Sequence, residues 1–265
     1  SLQRRRWLSS LAAMPLATLG WPRLASAAAC DDTANWIPPD AFLTDLPRLM
    51  QALRVPAIGM AVVERGEVVW ARNLGVTNAE TRAPVADDTL FEDASLSKPV
   101  FAYLVLQLAD QGVIDLDARL VRYRRMDYLA DHPWVDMVTA RDVLRHSTGM
   151  PNWRKDPAHE KLVPAAKPGT RIDYSGEAIF WLQLAVEAIT GQSLDESMQM
   201  HLFGPAGMQD SSYTWSKDLA ERSVYGHRAV EDEEAGMPPQ MLRETWNAAQ
   251  TVADRWGKPL SAWRY

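Results

Sequence analysis

The pattern of hydrophobic and polar positions predicts one helix and a β-hairpin in the first part of the chain. Asp40 can cap a helix that runs from Ala41 to about Leu53. Two runs rich in β-branched residues follow, Ala57 to Glu64 and Glu67 to Leu74, and Arg65-Gly66 between them is a turn signal. Because a two-stranded sheet is not stable by itself in water, the hairpin requires further strands from elsewhere in the chain.

The most apolar predicted helix contains the run from Phe101 to Gln111 and ends at Gly112, a residue that readily takes the left-handed conformation after a helix. Because the run is apolar on all sides, we expect this helix to be buried. Pro99 is tolerated in a first turn, so the helix should begin at or just before Ser95. Ser95 and Lys98 then lie on one face, with the ammonium group within reach of the hydroxyl.

Three more helices are predicted between residues 139 and 203. They run from Thr139 to His146, from Glu177 to Thr190 and from Ser193 to about Phe203. The first and the third open with a hydroxyl residue that has an acidic residue three positions later, a pattern typical of a capping box. Gly191 closes the second. The region from about residue 90 to 215 therefore reads as a helical lobe.

The predicted sheet is incomplete. No convincing strand follows Gly226, and Glu244 to Trp256 has the pattern of a helix. We therefore expect one domain over residues 30–265 that combines an antiparallel sheet with the helical lobe. This is an α/β arrangement in which the C-terminal sheet strands are missing.

Composition and charge fit an ordinary globular protein. The 265 residues are 47% hydrophobic and 23% charged, which suffices for a large core in one domain or two fused lobes. The net charge is −6, and residues 1–29 contribute four arginines and no acid, so the remainder is still more acidic. This balance argues against nucleic acid as a partner, because phosphate binding needs clustered basic residues.

The N-terminus resembles a twin-arginine export signal rather than part of the fold. Gln3 to Arg6 precede an apolar stretch from Leu8 to Trp21, and Ala25 to Ala27 offers small residues for cleavage. The stretch is short and is interrupted by a proline and a glycine, which disfavours a membrane anchor. We expect residues 1–29 to be removed and the mature protein to be periplasmic or secreted, without a stable membrane span. Cys30, the only cysteine, is an alternative site of lipid attachment and leaves the chain without an internal disulfide.

Ser95 and Lys98 have the pattern of a nucleophile paired with a base. A serine hydroxyl is a weak nucleophile until a neighbour takes its proton, and a lysine can do so when burial or a nearby cation favours its neutral form. The partial positive charge of a helix N-terminus disfavours the ammonium and favours a developing oxyanion. The alternative is that Ser95 caps the helix and Lys98 lies at the surface, so the spacing alone is weak evidence.

A series of short motifs accompanies this pair in a fixed order. Besides the Ser95-x-x-Lys98 helix, the motifs are Gln111 to Asp117, Leu144 to Pro151, Pro168 to Thr170, Tyr174 to Gly176 and Gly204 to Met208. Together with the hairpin, they resemble the serine β-lactamase and penicillin-binding-protein superfamily over about residues 40–226. The similarity is greatest to the branch that holds class C β-lactamases, D-alanyl-D-alanine carboxypeptidases and β-lactamase-like esterases. It implies a β-lactamase/transpeptidase-like α/β fold.

The resemblance also implies roles for individual residues. Ser95 would be the acylated nucleophile, and Lys98 would be its proton acceptor. Tyr174 matches the tyrosine of the family's Y-x-N element, which faces the serine and relays its proton to the leaving group; the alternative is a core aromatic residue with a satisfied hydroxyl. The backbone N–H of Ser95 would supply half of the oxyanion hole. His146 resembles part of a structural turn of the family, and we interpret it as a hydrogen-bonded residue at a helix end.

Trp153, Ser175 and Gly176 are the predicted lining of the substrate pocket. Gly176 stands where the family has an asparagine, so a side-chain amide that could hold Lys98 and the substrate carbonyl is missing. The family's third element, K-T-G or H-x-G on a strand, does not occur after Tyr174, and the remaining sheet strands would be absent with it. The glycine favours an esterase-like hydrolase over a β-lactamase, and the missing strand suggests a fragment or a protein without its last third.

The sequence therefore supports two functional hypotheses. The first is an exported serine hydrolase that forms an acyl-enzyme on Ser95, with Lys98 as base, and acts on small-molecule esters, amides or peptidoglycan-like peptides. The second is a truncated, catalytically deficient remnant of such an enzyme, or a protein that only binds such ligands. Neither hypothesis requires a cofactor or a metal, and the five histidines lack metal-ligand spacing. The oligomeric state stays open.

Overall fold

The computed structural model describes residues 36–157, 159–214, 216–228 and 240–241. The predicted export signal at residues 1–29, Cys30 and the helix predicted from Glu244 to Trp256 lie outside the described residues. Among the described residues, no helix is both long and apolar enough to cross a lipid bilayer.

The chain begins its described part with a helix and a hairpin. Helix α1 spans Asp40–Ala52, and Pro39 holds its cap position without a side-chain hydrogen bond. The predicted helix is confirmed, but capping by Asp40 is wrong, because Asp40 is itself the first helical residue. Strands β1, Ala57–Glu64, and β2, Glu67–Gly75, pair antiparallel, which confirms the predicted hairpin.

The hairpin is only partly covered. Its turn residues Arg65 and Gly66 both have positive φ values, 52° and 85°, as a two-residue turn between twisted strands requires. No residue of β1 or β2 is fully buried. After the hairpin, Leu90 pairs with the segment from Arg222 to Val224. It donates its N–H to the Arg222 carbonyl and accepts the N–H of Val224, both at 2.9 Å.

Five further helices lie in the described part of the chain after the hairpin. They are α2 (Ser97–Asp110), α3 (Ala140–Leu144), α4 (Gly176–Thr190), α5 (Leu194–Met198) and α6 (Lys217–Arg222). A 3₁₀ turn, Ala94–Leu96, precedes α2, and a π-helical segment, Gln199–Phe203, extends α5. Together these elements confirm the predicted helices of the lobe.

Local signals set the ends of these helices. Thr139 and Ser193 each accept the N–H of an acidic residue three positions later, whose carboxylate accepts in return, so that both predicted capping boxes are present. Gly112 and Gly191 follow α2 and α4 with φ values of 72° and 70°, in the left-handed region that ends a helix.

The hydrophobic core lies between α2 and α4. Leu104 and Val105 of α2 belong to one buried cluster with Trp181 and Leu182 of α4. Burial of each such side chain is worth roughly 1.5–3 kcal/mol. Within the part of the chain that the structure describes, the cluster contains no hairpin residue. The helical lobe therefore holds the helix that follows Ser95.

Helix α2 is buried on one face only, so the predicted burial on all sides is wrong. Phe101, Leu104 and neighbouring residues face the core, but Leu96 in the preceding turn is 69% exposed, and Tyr103 and Leu106 are each 50% exposed. The apolar run alone could not reveal which face is exposed, because neighbouring elements can cover an apolar helix on one face or on both. Only the elements that pack against α2 distinguish these cases.

A short strand pair lies towards the C-terminal end of the described residues. Strand β3, His227–Arg228, pairs antiparallel with β4, Gln240–Met241. The expectation that no strand follows Gly226 is therefore wrong. Two-residue strands contain too few positions to produce a readable alternation of apolar and polar residues.

Candidate active site

Ser95 lies in the 3₁₀ turn that leads into α2. The residue before it, Ala94, has a φ of 44°, in the left-handed region that a residue with a β-carbon rarely adopts. Such a conformation costs on the order of 1–3 kcal/mol and persists only where the surrounding structure holds it. The strained turn presents Ser95 at the surface, where its side chain is exposed.

Two polar side chains converge on the hydroxyl of Ser95. The Lys98 Nζ lies 3.0 Å from Ser95 Oγ, one helical turn further along. The Tyr174 hydroxyl lies 2.9 Å from the same oxygen, although it is 79 positions away in the chain. The three predicted catalytic residues therefore form one group, which we call the Ser95 cluster.

The cluster changes the acid–base properties of its tyrosine. The hydrogen bond with Lys98, followed by the hydrogen bond with Ser95, lowers the pKa of Tyr174 below its usual value. The Lys98 Nζ also lies 5.1 Å from the centre of the Tyr174 ring. A tyrosine with this environment holds its proton less tightly and can exchange it with the two neighbouring groups.

His146 makes three contacts with the segment that carries Tyr174. Its carbonyl accepts the N–H of Asp173 at 2.7 Å, its Nδ1 accepts the N–H of Ser175 at 3.2 Å, and its ring packs on the Tyr174 ring with centroids 4.5 Å apart. Burial, followed by the charge of Lys98, lowers the pKa of His146 and favours the neutral form that can accept at Nδ1. The prediction of a hydrogen-bonded histidine at a helix end agrees with these contacts, but the sequence did not reveal that its target is Tyr174.

Tyr213 binds the first turn of α2, next to the Ser95 cluster. Its hydroxyl donates to the Ser97 carbonyl at 2.6 Å, and its ring stacks on Phe203 at 5.9 Å. Burial raises the pKa of Tyr213, so its hydroxyl stays protonated and available as a donor. The first turn of α2 is thereby tied to the π-helical segment. No sequence signal marked Tyr213, because a single tyrosine more than a hundred residues from its partner has no local pattern.

A backbone donor lies beside the nucleophile. Among the described residues, no acceptor is found for the N–H of Ser95. This N–H lies at the beginning of a helical segment, where the partial positive charge of the helix favours negative charge. The arrangement suits the developing oxyanion of an acyl-transfer reaction.

The predicted pocket residues have different surroundings. Ser175 is fully buried: its Oγ accepts the N–H of Ala178 at 3.0 Å and donates to the Pro151 carbonyl at 2.8 Å. It is therefore the N-cap of α4, and the geometry does not support its assignment to the pocket lining. Trp153 is 44% exposed and lies against Gly176, so these two residues remain candidates for the lining.

Within the described ranges, no group of three or more His, Cys, Asp or Glu side chains has the geometry of a metal site. The Ser95 cluster itself offers a hydroxyl, an amine and a phenol. This combination can deprotonate a nucleophile and reprotonate a leaving group.

Comparison with known protein families agrees with this geometry. A family model described as Beta-lactamase matches residues 44–254, a range that includes the whole Ser95 cluster. Among curated proteins, Esterase EstB of Burkholderia gladioli is 30% identical over 220 residues, covering 68% of this chain and 56% of the esterase. Penicillin-binding protein 4 of Amycolatopsis lactamdurans is 28% identical over 219 residues, covering 78% of this chain and 56% of that protein. The chain thus spans little more than half the length of these relatives.

Solved structures with similar folds point the same way. A class C beta lactamase has a TM-score of 0.62 at 23% identity, covering 82% of this chain and 65% of that chain. D-alanine Carboxypeptidase AmpC from Burkholderia cenocepacia has a TM-score of 0.60 at 23% identity, covering 76% of this chain and 59% of that chain. At such identities the likeness establishes the fold alone, which is the predicted β-lactamase/transpeptidase-like α/β fold.

Proposed function

Because the chain belongs to the serine β-lactamase and penicillin-binding-protein superfamily, we propose that it is a serine hydrolase that works through an acyl-enzyme on Ser95. The observation that carries the proposal is the convergence of Lys98 and Tyr174 on Ser95 Oγ, at 3.0 Å and 2.9 Å. A hydroxyl held between an amine and a phenol of lowered pKa can lose its proton as it attacks a carbonyl carbon.

The proposed reaction proceeds in two halves. Ser95 Oγ attacks the substrate carbonyl while its proton passes to Lys98, which shares it with Tyr174. The N–H of Ser95 stabilises the resulting oxyanion. Tyr174 then returns the proton to the leaving group as the tetrahedral intermediate collapses to an ester on Ser95. In the second half, water attacks this ester and gives a proton to the same two residues. The bond between the acyl carbon and Ser95 Oγ then breaks, the proton returns to Ser95 Oγ, and the acid is released.

Esters are the proposed preferred substrates, with amides and peptidoglycan-like peptides as poorer ones. Gly176 offers no side-chain amide to hold an amide carbonyl of the substrate. We expect short p-nitrophenyl esters to be hydrolysed with a higher kcat/KM than the cephalosporin nitrocefin. Efficient nitrocefin turnover with poor ester turnover would reverse this order.

A fluorophosphonate probe tests the proposal directly. We expect the probe to label the full chain at Ser95, as read by peptide mass spectrometry, and Ser95→Ala to abolish the labelling. Lys98→Ala should slow acylation by about 10²–10⁴-fold, the usual range for a positioned general base. Labelling that survives Ser95→Ala would refute the assignment.

The second candidate function is binding of such ligands without turnover. The exposure of Ser95 and of the neighbouring Leu96 favours it, because an open site shields a developing charge poorly from water. Under this alternative, a p-nitrophenyl ester would bind without being hydrolysed, and the fluorophosphonate probe would not label Ser95.

Export to the periplasm or the medium is a further part of the proposal. It rests on Gln3 to Arg6 and the apolar stretch that follows them. Residues 1–29 fused to a folded reporter should direct it out of the cytoplasm, and replacing Arg4, Arg5 and Arg6 with lysine should retain it inside. Export of the lysine variant would rule out the twin-arginine interpretation. A free thiol on Cys30 in the exported protein would exclude the alternative of lipid attachment.

A further inference from the structure

The geometry points to Trp153 as a residue that determines substrate specificity. Its indole occupies the space that a side chain at position 176 would need. We propose that its indole forms an apolar wall of the Ser95 site and selects substrates whose acyl group carries an aromatic ring. The inference rests on the proposed hydrolase function and names the substrate class of the same site.

The direction of the backbone shows where a side chain at position 176 would point. Ser175 has an extended conformation, with φ −136° and ψ 112°. Alternate residues of an extended segment project to the same side, so a side chain at 176 would share its direction with Tyr174 and oppose Ser175. The Ser175 side chain points into the protein, whereas the Tyr174 hydroxyl reaches Ser95 at 2.9 Å. A side chain at position 176 would therefore project to the same side of the segment as Tyr174.

The indole of Trp153 fills this space. A β-carbon on Gly176 would lie 2.5 Å from Trp153 Cζ2 and 2.6 Å from Cη2, closer than real β-carbons approach other atoms. The φ of Gly176 is not in the left-handed region, so space rather than backbone conformation requires a glycine here. Trp153 and Gly176 are therefore a matched pair, in which the large residue depends on the absence of a side chain in the small one.

Both neighbours of Trp153 are anchored to the same stretch of α4. Asn152 accepts the N–H of Gly176 with its Oδ1 at 2.9 Å and the N–H of Glu177 with its carbonyl at 3.0 Å. Arg154 donates its backbone N–H to Glu177 at 3.0 Å and binds the same carboxylate through Nε at 2.8 Å and Nη2 at 3.1 Å. The Arg154 and Glu177 side chains are 3% and 0% exposed. A wall held on both sides by hydrogen bonds, those of Arg154 being buried, is preorganised for its ligand.

An indole binds different substrate groups from the side-chain amide of an asparagine. It offers a broad apolar face and one N–H donor, and it has no acceptor. Trp153 keeps 44% of its surface exposed, so part of the indole is available to a ligand. An aromatic ring one carbon away from the reacting carbonyl could stack on this wall, whereas an amide placed there would lose hydrogen bonds to water.

The test compares p-nitrophenyl phenylacetate with p-nitrophenyl acetate on the full chain. These esters share a leaving group and differ only in the phenyl ring of the acyl part. We expect a higher kcat/KM for phenylacetate, and a fall of about tenfold in the phenylacetate-to-acetate ratio in Trp153→Ala, the scale on which an apolar pocket discriminates. Trp153→Phe should retain most of the ratio, because it keeps an aromatic face.

Trp36→Ala is the matched control. Trp36 is also an exposed tryptophan, at 59%, but its backbone N–H binds Glu64 at the end of β1. Its replacement should leave the ratio unchanged. If Ser95 is labelled by fluorophosphonate but Trp153→Ala keeps the ratio, the inference is wrong and the proposed function stands. If Ser95 is not labelled in the unaltered chain, the proposed function and the specificity built on it both fail.

Thermal melting tests the matched pair without relying on activity. Gly176→Ala should lower the Tm by about 4 °C or more, because the new methyl group overlaps the indole. In a Trp153→Ala background, the same change should have little effect. Equal effects of Gly176→Ala in both backgrounds would show that Trp153 does not occupy the space at position 176.

Discussion

The stretch from Tyr174 to Glu177 connects two groups of polar side chains that differ in their exposure to solvent. On one side, the Ser95 cluster lies at the surface, with Ser95 exposed and Tyr174 46% exposed. On the other side, Arg154 and Glu177 are joined by three hydrogen bonds and are almost completely buried. The two groups are separated by only a few residues of one segment.

The difference in burial separates reactivity from stability. Hydrogen bonds between exposed side chains contribute little to folding, because water competes for every donor and acceptor. Breaking a buried ion pair by removing one partner is costly, because the other charge stays in the interior without compensation. The exposed cluster can therefore be altered with little effect on folding, while the buried pair holds the segment that positions Tyr174.

Ser95→Ala should give the largest effect on activity and almost none on stability. Loss of the nucleophile should lower kcat/KM for p-nitrophenyl acetate by about 10⁴-fold or more. Because Ser95 is exposed, the free energy of unfolding should change by no more than about 0.5 kcal/mol. Ester hydrolysis assays and chemical denaturation of the same preparation measure both. A large loss of stability would mean that Ser95 supports the fold rather than the reaction.

Glu177→Ala should have the opposite profile. Removal of the carboxylate leaves the guanidinium of Arg154 buried without its partner and should cost about 3–5 kcal/mol in the free energy of unfolding. The double variant Arg154→Met with Glu177→Leu should lose much less, because it removes both charges and keeps the volume. Denaturation curves of the two variants decide the matter, and equal losses would mean that packing, not charge, accounts for the effect.

Tyr174→Phe tests the part of the exposed cluster that the buried pair helps to position. The variant keeps the ring that packs on His146 but removes the hydroxyl that contacts Ser95. Acylation of Ser95 should slow by about 10²-fold, at the lower end of the range for a proton-transfer group, while the Tm stays unchanged. Stopped-flow measurement of the acylation burst provides the rate. An unchanged burst rate would remove Tyr174 from the reaction.

His146 should produce the smallest effect, which depends on pH. Its pKa is lowered in the folded protein, so the unfolded state binds the proton more readily. The stability that the neutral imidazole contributes is complete above about pH 6.5, the value of an unperturbed histidine, and is lost as the pH falls through the folded-state pKa. Denaturation at several pH values between 5 and 8 measures this slope.

His146→Asn is the control for this titration. Its side-chain oxygen can replace Nδ1 as acceptor for the N–H of Ser175, and asparagine tolerates the φ of 54° at this position. The variant should lose part of the acid-dependent decrease in stability, because other groups that titrate in this range are unchanged. An identical pH slope in both proteins would show that His146 is not the titrating group.

The start of α3, the end of α4 and the hairpin turn could be predicted from the residues alone. The Thr139 hydroxyl and the Asp142 carboxylate satisfy each other's backbone N–H groups, so the signal and its effect lie within one helical turn. Arg65-Gly66 and Gly191 work in the same way, because the conformation that ends an element is a property of one or two residues. The spacing of Ser95 and Lys98 belongs to this class, since the first turn of α2 brings them together.

Contacts between distant segments could be decided only by the tertiary structure. The burial of one face of α2, the hydrogen bond from Ser175 to the Pro151 carbonyl and the attachment of His146 to Tyr174 all depend on which segments meet in space. The sequence by itself determined the local elements and, through motif resemblance, the family and the three residues of the Ser95 cluster. Only the tertiary structure decided that the Trp153 indole occupies the space that a side chain at position 176 would need. The physical reason is that the free energy of a contact between two side chains depends on the distance between their atoms and not on their separation along the chain.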